Sequence, residues 1–443
     1  MIDYFFSNEE KRIRAQSLLS RLDRRESFYI SHLFLNDYVP KPIWFWVIPL
    51  LSGTGLLCFA LSFIYYKAVI FLILCFFVNI VIHYWNKRNI FIYVDSIPQL
   101  PLLSRIADEL MKWNAYPFDP TIQAASESIR QLKTLSLFFK FENRVRSDLE
   151  ALIFTVWEIT KILFLIEPLF VFNLLKKLEN KCDDVQTLFE YIGKFDSAIS
   201  IATLRREMPY FCKPLITENN HSFEFTDIYH PLIPDCISNS LHTNGRSVLL
   251  TGSNMSGKTT FIRTVTINLL LAQTIHTCFA KDFRLAQTRL FSAIRITDDL
   301  LQSVSYYFKE VLTIKDLLTE SDSEFNNMFF LDEIFKGTNT VERIAAGKSV
   351  LSCLARLYNN IVFVSTHDIE LTDLLSGEYD LYHFTETIQN KQIHFDYKLR
   401  QGALSTTNAI RILELNYYPK KVIDEAYQIS NILRVNSDNQ VIT

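Results

Sequence analysis

Glycine is scarce in this chain, with 10 residues in 443 against a usual ~7%. None occurs between Gly55 and Gly193. So few permissive positions argue against an all-β chain full of turns and favour long helices. They also make a glycine-specified loop harder to obtain by chance. Cysteine supplies no framework. The seven (Cys58, Cys75, Cys182, Cys212, Cys236, Cys278 and Cys353) form no close pair in sequence. That argues against a metal site or a disulfide scaffold and fits reduced thiols in a cytosolic compartment. Neither sign of charge dominates: 45 Lys and Arg stand against 48 Asp and Glu, for a net charge of −3 and a pI near 6.3. A whole-chain basic footprint for nucleic acid is absent, and only a local patch remains open. Internal repeats and low-complexity linkers are also missing. What is present is apolar. Hydrophobic residues make up 49% and charged residues 21%, enough to bury large cores in two to four domains of roughly 100–200 residues.

Two uncharged runs lie near the N-terminus, residues 43–66 and 68–85, with only Lys67 between them. As helices they would be about 36 Å and 27 Å long, against a hydrocarbon core of ~30 Å. Trp44 and Trp46 open the first run, Tyr65 and Tyr66 sit at the turn, and Tyr84 and Trp85 close the second. Amphipathic rings belong at those levels in an up-down transmembrane hairpin. Lys41, Lys87 and Arg88 put positive charge beside both outer ends, which by the positive-inside rule places both chain termini in the cytosol. The expectation is a multi-pass protein of the cytoplasmic (inner) membrane. A buried helical hairpin of a soluble protein is the alternative. Asn79 reads as a helix-packing contact and His83 as an interfacial residue. A third apolar stretch, residues 151–175, carries Glu158, Lys161 and Glu167 and reads as a buried helix of the next domain. From about 97 to 208 the pattern is helical, with an amphipathic repeat at Leu132, Leu135, Phe138, Phe139 and Glu142. The expected division is a charged segment at 1–42, the hairpin at 43–86, an all-α domain at 87–220 and an α/β domain at 221–443.

After Gly245 the character changes. Ser247-Val-Leu-Leu-Thr251 suits a buried parallel strand and feeds Gly252-Ser253-Asn254-Met255-Ser256-Gly257-Lys258-Thr259-Thr260, followed by a helical pattern. This is G-x-x-x-x-G-K-T between a strand and a helix, the setting of a phosphate-binding P-loop. Gly252 and Gly257 would let the backbone curl so that consecutive N–H groups face phosphates at a helix N-terminus. Lys258 would reach the β/γ-phosphates of ATP and Thr259 would ligate Mg²⁺. About 70 residues on, Met328-Phe-Phe-Leu331 ends in Asp332 and Glu333, placed to hold Mg²⁺ through water and to polarise an attacking water. A third apolar run, residues 360–365, ends in Thr366-His367. A histidine at that strand's carboxyl end could sense the γ-phosphate, or be a plain surface residue.

The residues 251–260, Leu331-Asp-Glu-Ile-Phe-Lys-Gly-Thr-Asn-Thr340 and Ser365-Thr-His367 resemble the motifs of the MutS family of DNA mismatch-repair ATPases. Asn254-Met255 and Gly337-Thr338 are more particular to that family than to P-loop proteins in general. The resemblance covers about 188–430 and implies an ABC-type ATPase fold, ATP and Mg²⁺, and a homodimer with composite ATP sites. It also implies DNA binding in mismatch repair or a related transaction. Residues 297–305, with Glu310 beyond them, resemble the segment that supplies a serine across the dimer, here Ser305. Gln302 and Ser303 depart from the glycine the family often has there. Ile233, in His230-Pro-Leu-Ile-Pro234, and Tyr397 match the positions that contact adenine, although both could be core residues. The family's mismatch-recognition and connector domains are replaced here by the charged segment and the hairpin, so mismatch recognition is not expected to carry over. Two other readings compete: a membrane-anchored ATP-dependent switch or scaffold acting on a protein partner, and a transporter subunit.

Overall fold

The computed structural model describes residues 1–23, 25–35, 42–113, 115–132, 148–217, 223–243, 245–253, 256–294, 306–389, 392–404 and 409–440. They divide into two compact units, Met1–Arg206 and Glu207–Thr443. Most of the amphipathic helix expected at 132–142 lies outside the described residues.

In the first unit the opening segment is helical and packed. Helices Ile2–Ser7 and Glu9–Leu19 bury Phe5, Ala15 and Leu18 in one core with Leu103, Ile106 and Leu110 of Leu100–Met111 and with Leu188, Ile192, Phe195 and Ile199 of Cys182–Glu207. The three- and four-residue spacing of those side chains is what puts them on single helix faces. Arg12 is also buried, and its guanidinium donates to Phe5 O at 3.2 Å.

Windows Ile43–Ser62 and Ala68–Arg88 are long and apolar enough to cross a membrane, with mean hydropathies of 1.8 and 2.3. Only 17% and 11% of them are buried, whereas the core helix of a soluble protein would be mostly covered. Trp44 and Trp85 meet at the open end with centroids 4.8 Å apart. The stretch at 151–175 is not one helix. It belongs to two, Asp148–Phe164 and Ile166–Glu179, broken at Leu165 (φ 47°), and both pack on the apolar pair. Asn79 makes the expected packing contact, donating to Leu163 O at 2.8 Å. His83, read from the sequence as interfacial, is covered by its neighbours. It is 1% exposed, 3.6 Å from Glu158 and 3.8 Å from Glu167, because an ionisable group among apolar helices must find partners inside.

The second unit is mixed α/β. Its main sheet runs β12 (Arg400–Gln401), β9 (Tyr379–His383), β4 (Ser247–Thr251), β8 (Asn360–Ser365), β7 (Asn327–Asp332), β6 (Arg289–Ala293). All neighbours are parallel except the β12 edge. Strands β4 and β8 are buried throughout, as strands covered on both faces must be. Alternate side chains serve opposite layers. Val248, Leu250, Met328, Phe330 and Phe363 pack on helix Lys258–Ile275. Leu249, Phe329, Leu331, Val362 and Val364 pack on helices Tyr306–Ser321 and Thr340–Arg356. A second sheet, ordered β1 (Leu215–Thr217), β5 (Asp282–Ala286), β2 (Phe223–Ile228), β3 (Asn239–Thr243), closes the first layer with Phe223, Phe225 and Phe283. A hairpin, β10 (Glu386–Gln389) with β11 (Gln392–Phe395), follows β9.

Candidate functional site

The parallel register brings the carboxyl ends of three strands to one level. Asp332 pairs with Ser365, Ser365 with Leu250, and Thr366 N donates to Leu250 O at 2.9 Å. Ligands gather at such an edge in open α/β sheets. From β4 the chain enters the loop at 252–257, whose conformation demands its glycines. Gly252 has φ 146°, and a Cβ there would stand 2.7 Å from Phe384 O. Gly257, with φ 105°, occupies the N-cap of helix Lys258–Ile275. The loop thus delivers its backbone to a helix N-terminus, where unpaired N–H groups favour an anion. Asn254, Met255 and Ser305 lie outside the described residues.

The polar side chains converge at the end of this loop. Lys258 is buried, and its Nζ donates to Gly252 O at 2.7 Å and Ser253 O at 3.0 Å. Burial holds its pKa below the ordinary lysine value, against the pull of Glu333 and Asp332. Thr259 Oγ1 donates to Asp332 Oδ2 at 2.9 Å, and Ser365 donates to the other oxygen of Asp332. Ser256 Oγ is buried with no hydrogen-bond partner among the described residues, a donor aimed into the loop. Glu333 sits just past β7 at φ 52°, a strained position for a non-glycine residue. Its Oε2 lies 2.6 Å from Lys336 Nζ and its Oε1 3.6 Å from His367 Nδ1. Burial alone would raise the Glu333 pKa. The Lys336 hydrogen bond and the charges of Lys336, His367 and Lys258 outweigh it and keep the carboxyl below its ordinary value.

A cleft of about 790 Å³ runs from Lys258, Thr259, Thr260 and Glu333 to an apolar end at Ile233, Phe395 and Tyr397. Ile233 and Tyr397 are 39% and 44% exposed, so neither is a core residue. Tyr397 is fixed by its carbonyl, which accepts from Asn239 Nδ2 at 3.0 Å, and by stacking with Phe395. Among the described residues no group of three or more His, Cys, Asp and Glu could hold a metal. A hard cation here would take the Thr259 hydroxyl and the Asp332 carboxylate and complete its shell from ligand and water, as Mg²⁺ does in phosphate sites.

Several supporting residues escaped the sequence reading. Lys336 lies inside the motif at 331–340, and its i,i+3 spacing from Glu333 was the available signal. Glu310, already marked by its place beyond 297–305, has a supporting role the sequence did not show: it is buried and accepts from Phe335 N. Burial raises its pKa, and that hydrogen bond opposes the rise. Arg343 grips Asp368, next to His367, through two hydrogen bonds of 2.9 and 2.6 Å. Glu386, 7% exposed, accepts from Ser253 Oγ at 2.7 Å across 133 residues of sequence, and nothing local announced it.

Comparison with known proteins accords with this geometry. Residues 248–434 match the family model described as MutS domain V. The DNA mismatch repair protein MutS of Orientia tsutsugamushi (strain Boryong) is 32% identical over 254 residues, covering 53% of this chain and 28% of that protein. Its namesake in Listeria monocytogenes serotype 4b is 28% identical, covering 58% of this chain and 31% of its own length. The Persephonella marina protein of that name is 26% identical, with 70% and 36% covered. The chain spans only 28% to 36% of the length of these relatives. With the described motif residues assembled on one sheet edge and residues 248–434 matched to MutS domain V, the C-terminal half of this chain is similar to the MutS family.

Proposed function

We propose that the second unit is a P-loop ATPase of ABC type. The observation that carries this reading is the meeting of Lys258, Thr259, Asp332 and Glu333 at one end of a cleft whose other end is apolar. Backbone N–H groups of the 252–257 loop, with Ser256 and Lys258, receive the phosphates, and Ile233 and Tyr397 flank the base. Thr259 and Asp332 would hold Mg²⁺, which would supply neutralisation of charge on the phosphates. Glu333, kept ionised, accepts a hydrogen bond from the attacking water and orients it toward the γ-phosphorus. His367, 3.6 Å from Glu333, orients that carboxylate and contacts the γ-phosphate. The test is Glu333→Gln, which should leave nucleotide binding within about threefold while phosphate release falls by roughly 10²–10⁴-fold. Unchanged steady-state release would refute the assignment.

The remaining proposals concern setting. The exposed apolar helices at Ile43–Ser62 and Ala68–Arg88 support anchoring in a cytoplasmic membrane, with both termini and the ATPase unit in the cytosol. Likeness to the MutS family over 248–434 supports a homodimer in which Ser305 completes the partner's site, and supports DNA binding in mismatch repair or a related step. The near-neutral charge balance favours weak, salt-sensitive DNA binding, since Lys and Arg contacts to phosphate dominate such affinity. An ATP-dependent switch acting on a protein partner is the second reading, favoured by that same charge balance.

A further inference from the structure

The break at Leu165 leaves the last carbonyls of helix Asp148–Phe164 without intrahelical partners. The apolar pair supplies donors. Asn79 Nδ2 donates to Leu163 O at 2.8 Å, and Ser52 Oγ to Phe164 O at 2.7 Å. Gly55 permits the approach, since a Cβ there would stand 3.0 Å from Leu163 O. Internal satisfaction of this kind is what a helix break requires where water is absent.

The same contacts set a depth. At 1.5 Å per residue, Asn79 lies about 14 Å along its helix from Arg88, Ser52 about 14 Å from Ile43, and His83 about 8 Å from Arg88. Half of a ~30 Å hydrocarbon core is about 15 Å. Glu158 lies 3.6 Å from His83 and 3.7 Å from Lys87. Five residues on, Leu163 meets Asn79, and Phe164 meets Phe59 with centroids 5.9 Å apart. Glu167 then comes back within 3.8 Å of His83, and Phe172 meets Phe45 at the open end, with centroids 5.2 Å apart. The chain descends to the middle of the pair and climbs out on the side it entered. Val156 and Ile159 stand 58% and 47% exposed on its outer face, beside an exposed Thr155. The charges on either side of the break turn inward: Lys161, fully buried, lies 2.8 Å from Glu158 and 3.6 Å from Glu167. Paired charges inside and apolar side chains outside suit a segment that faces hydrocarbon.

We propose that Asp148–Phe164 and Ile166–Glu179 form a re-entrant helical pair. It enters the bilayer from the side of the hairpin's open end, turns at the midplane at Leu165, and packs lipid acyl chains against Val156 and Ile159. This rests on the reading of the hairpin as membrane-spanning. The test uses the unaltered full-length protein in phosphatidylcholine liposomes, labelled by a carbene photoprobe dissolved in the bilayer and mapped by mass spectrometry. Label is expected on Phe71, Leu74 and Phe77 and, at comparable yield, on Val156 and Ile159. Label on the hairpin with none at 156–163 would overturn the re-entrant pair and spare the spans. Label on neither would remove the membrane reading itself. As an independent check, Ile159→Cys should react with a water-soluble maleimide at least tenfold more slowly than Phe28→Cys, whose native side chain is 72% exposed. Equal rates would overturn the proposal.

Discussion

Among the groups that lower the Glu333 pKa, Lys336 contributes most, and that dependence is testable through pH. With the carboxyl held below the ordinary glutamate value, the acid limb of ATP hydrolysis should lie below the usual carboxylate range. Lys258, held below the ordinary lysine value by burial, should set an alkaline limb in kcat/KM that moves upward in kcat, because bound phosphate favours the ammonium. Lys336→Met removes the hydrogen bond and leaves burial to act, so the acid limb should shift to higher pH. An unmoved limb would show that Lys336 does not control Glu333. The sign of the stability effect follows the same shift. A depressed carboxyl pKa contributes stability that is present above the unfolded value and is lost as pH falls through the folded one. Glu386 acts through Ser253. Glu386→Ala should weaken nucleotide binding by up to about tenfold, the scale of one hydrogen bond of about 1 kcal/mol, whereas Glu386→Gln should retain most of the affinity. Equal losses in isothermal titration would point to the charge instead of the acceptor.

The six-stranded sheet depends on side chains that serve both faces. Phe363 is fully buried between Phe223 and Phe330, so Phe363→Ala should cost about 3–5 kcal/mol in chemical denaturation of the second unit. Gly252→Ala differs in kind. The added Cβ meets a backbone carbonyl at a φ that L-residues rarely adopt, so nucleotide binding should be lost with the thermal midpoint little changed. A large drop in that midpoint would show that the loop is structural. β4, β7 and β8 were legible because strands covered on both faces read as unbroken apolar runs. β3 was not. Asn-Ser-Leu-His-Thr at 239–243 carries one large apolar residue, and three of its five positions are buried only because β2 and Tyr397 pack beside it. The break at Leu165 was equally silent, since Pro168 marks its neighbourhood without saying which carbonyls Ser52 and Asn79 would take.

At the scale of the whole molecule, a composite dimer predicts complementation. Lys258→Ala and Ser305→Ala chains, each inactive alone, should regain about one working site per mixed dimer. No recovery with both variants folded would argue against a shared site. The spacing of glycine, lysine and acidic residues, the apolar strands before them and the two long uncharged runs determined, from sequence alone, where the loop and its strands lie and that a helical half precedes an α/β one. These are local properties, in which a backbone conformation or a period is written into neighbouring residues. Only the tertiary structure decided what distant residues do for one another. It set Glu386 against Ser253 and Arg343 against Asp368, and it enclosed His83 between Glu158 and Glu167. It also paired the backbones of Cys212 and Cys278 in an isolated antiparallel β-bridge, with no disulfide between them. Buried polar groups must be paired wherever the fold leaves them, and which residue answers depends on the packing of elements that no local pattern encodes.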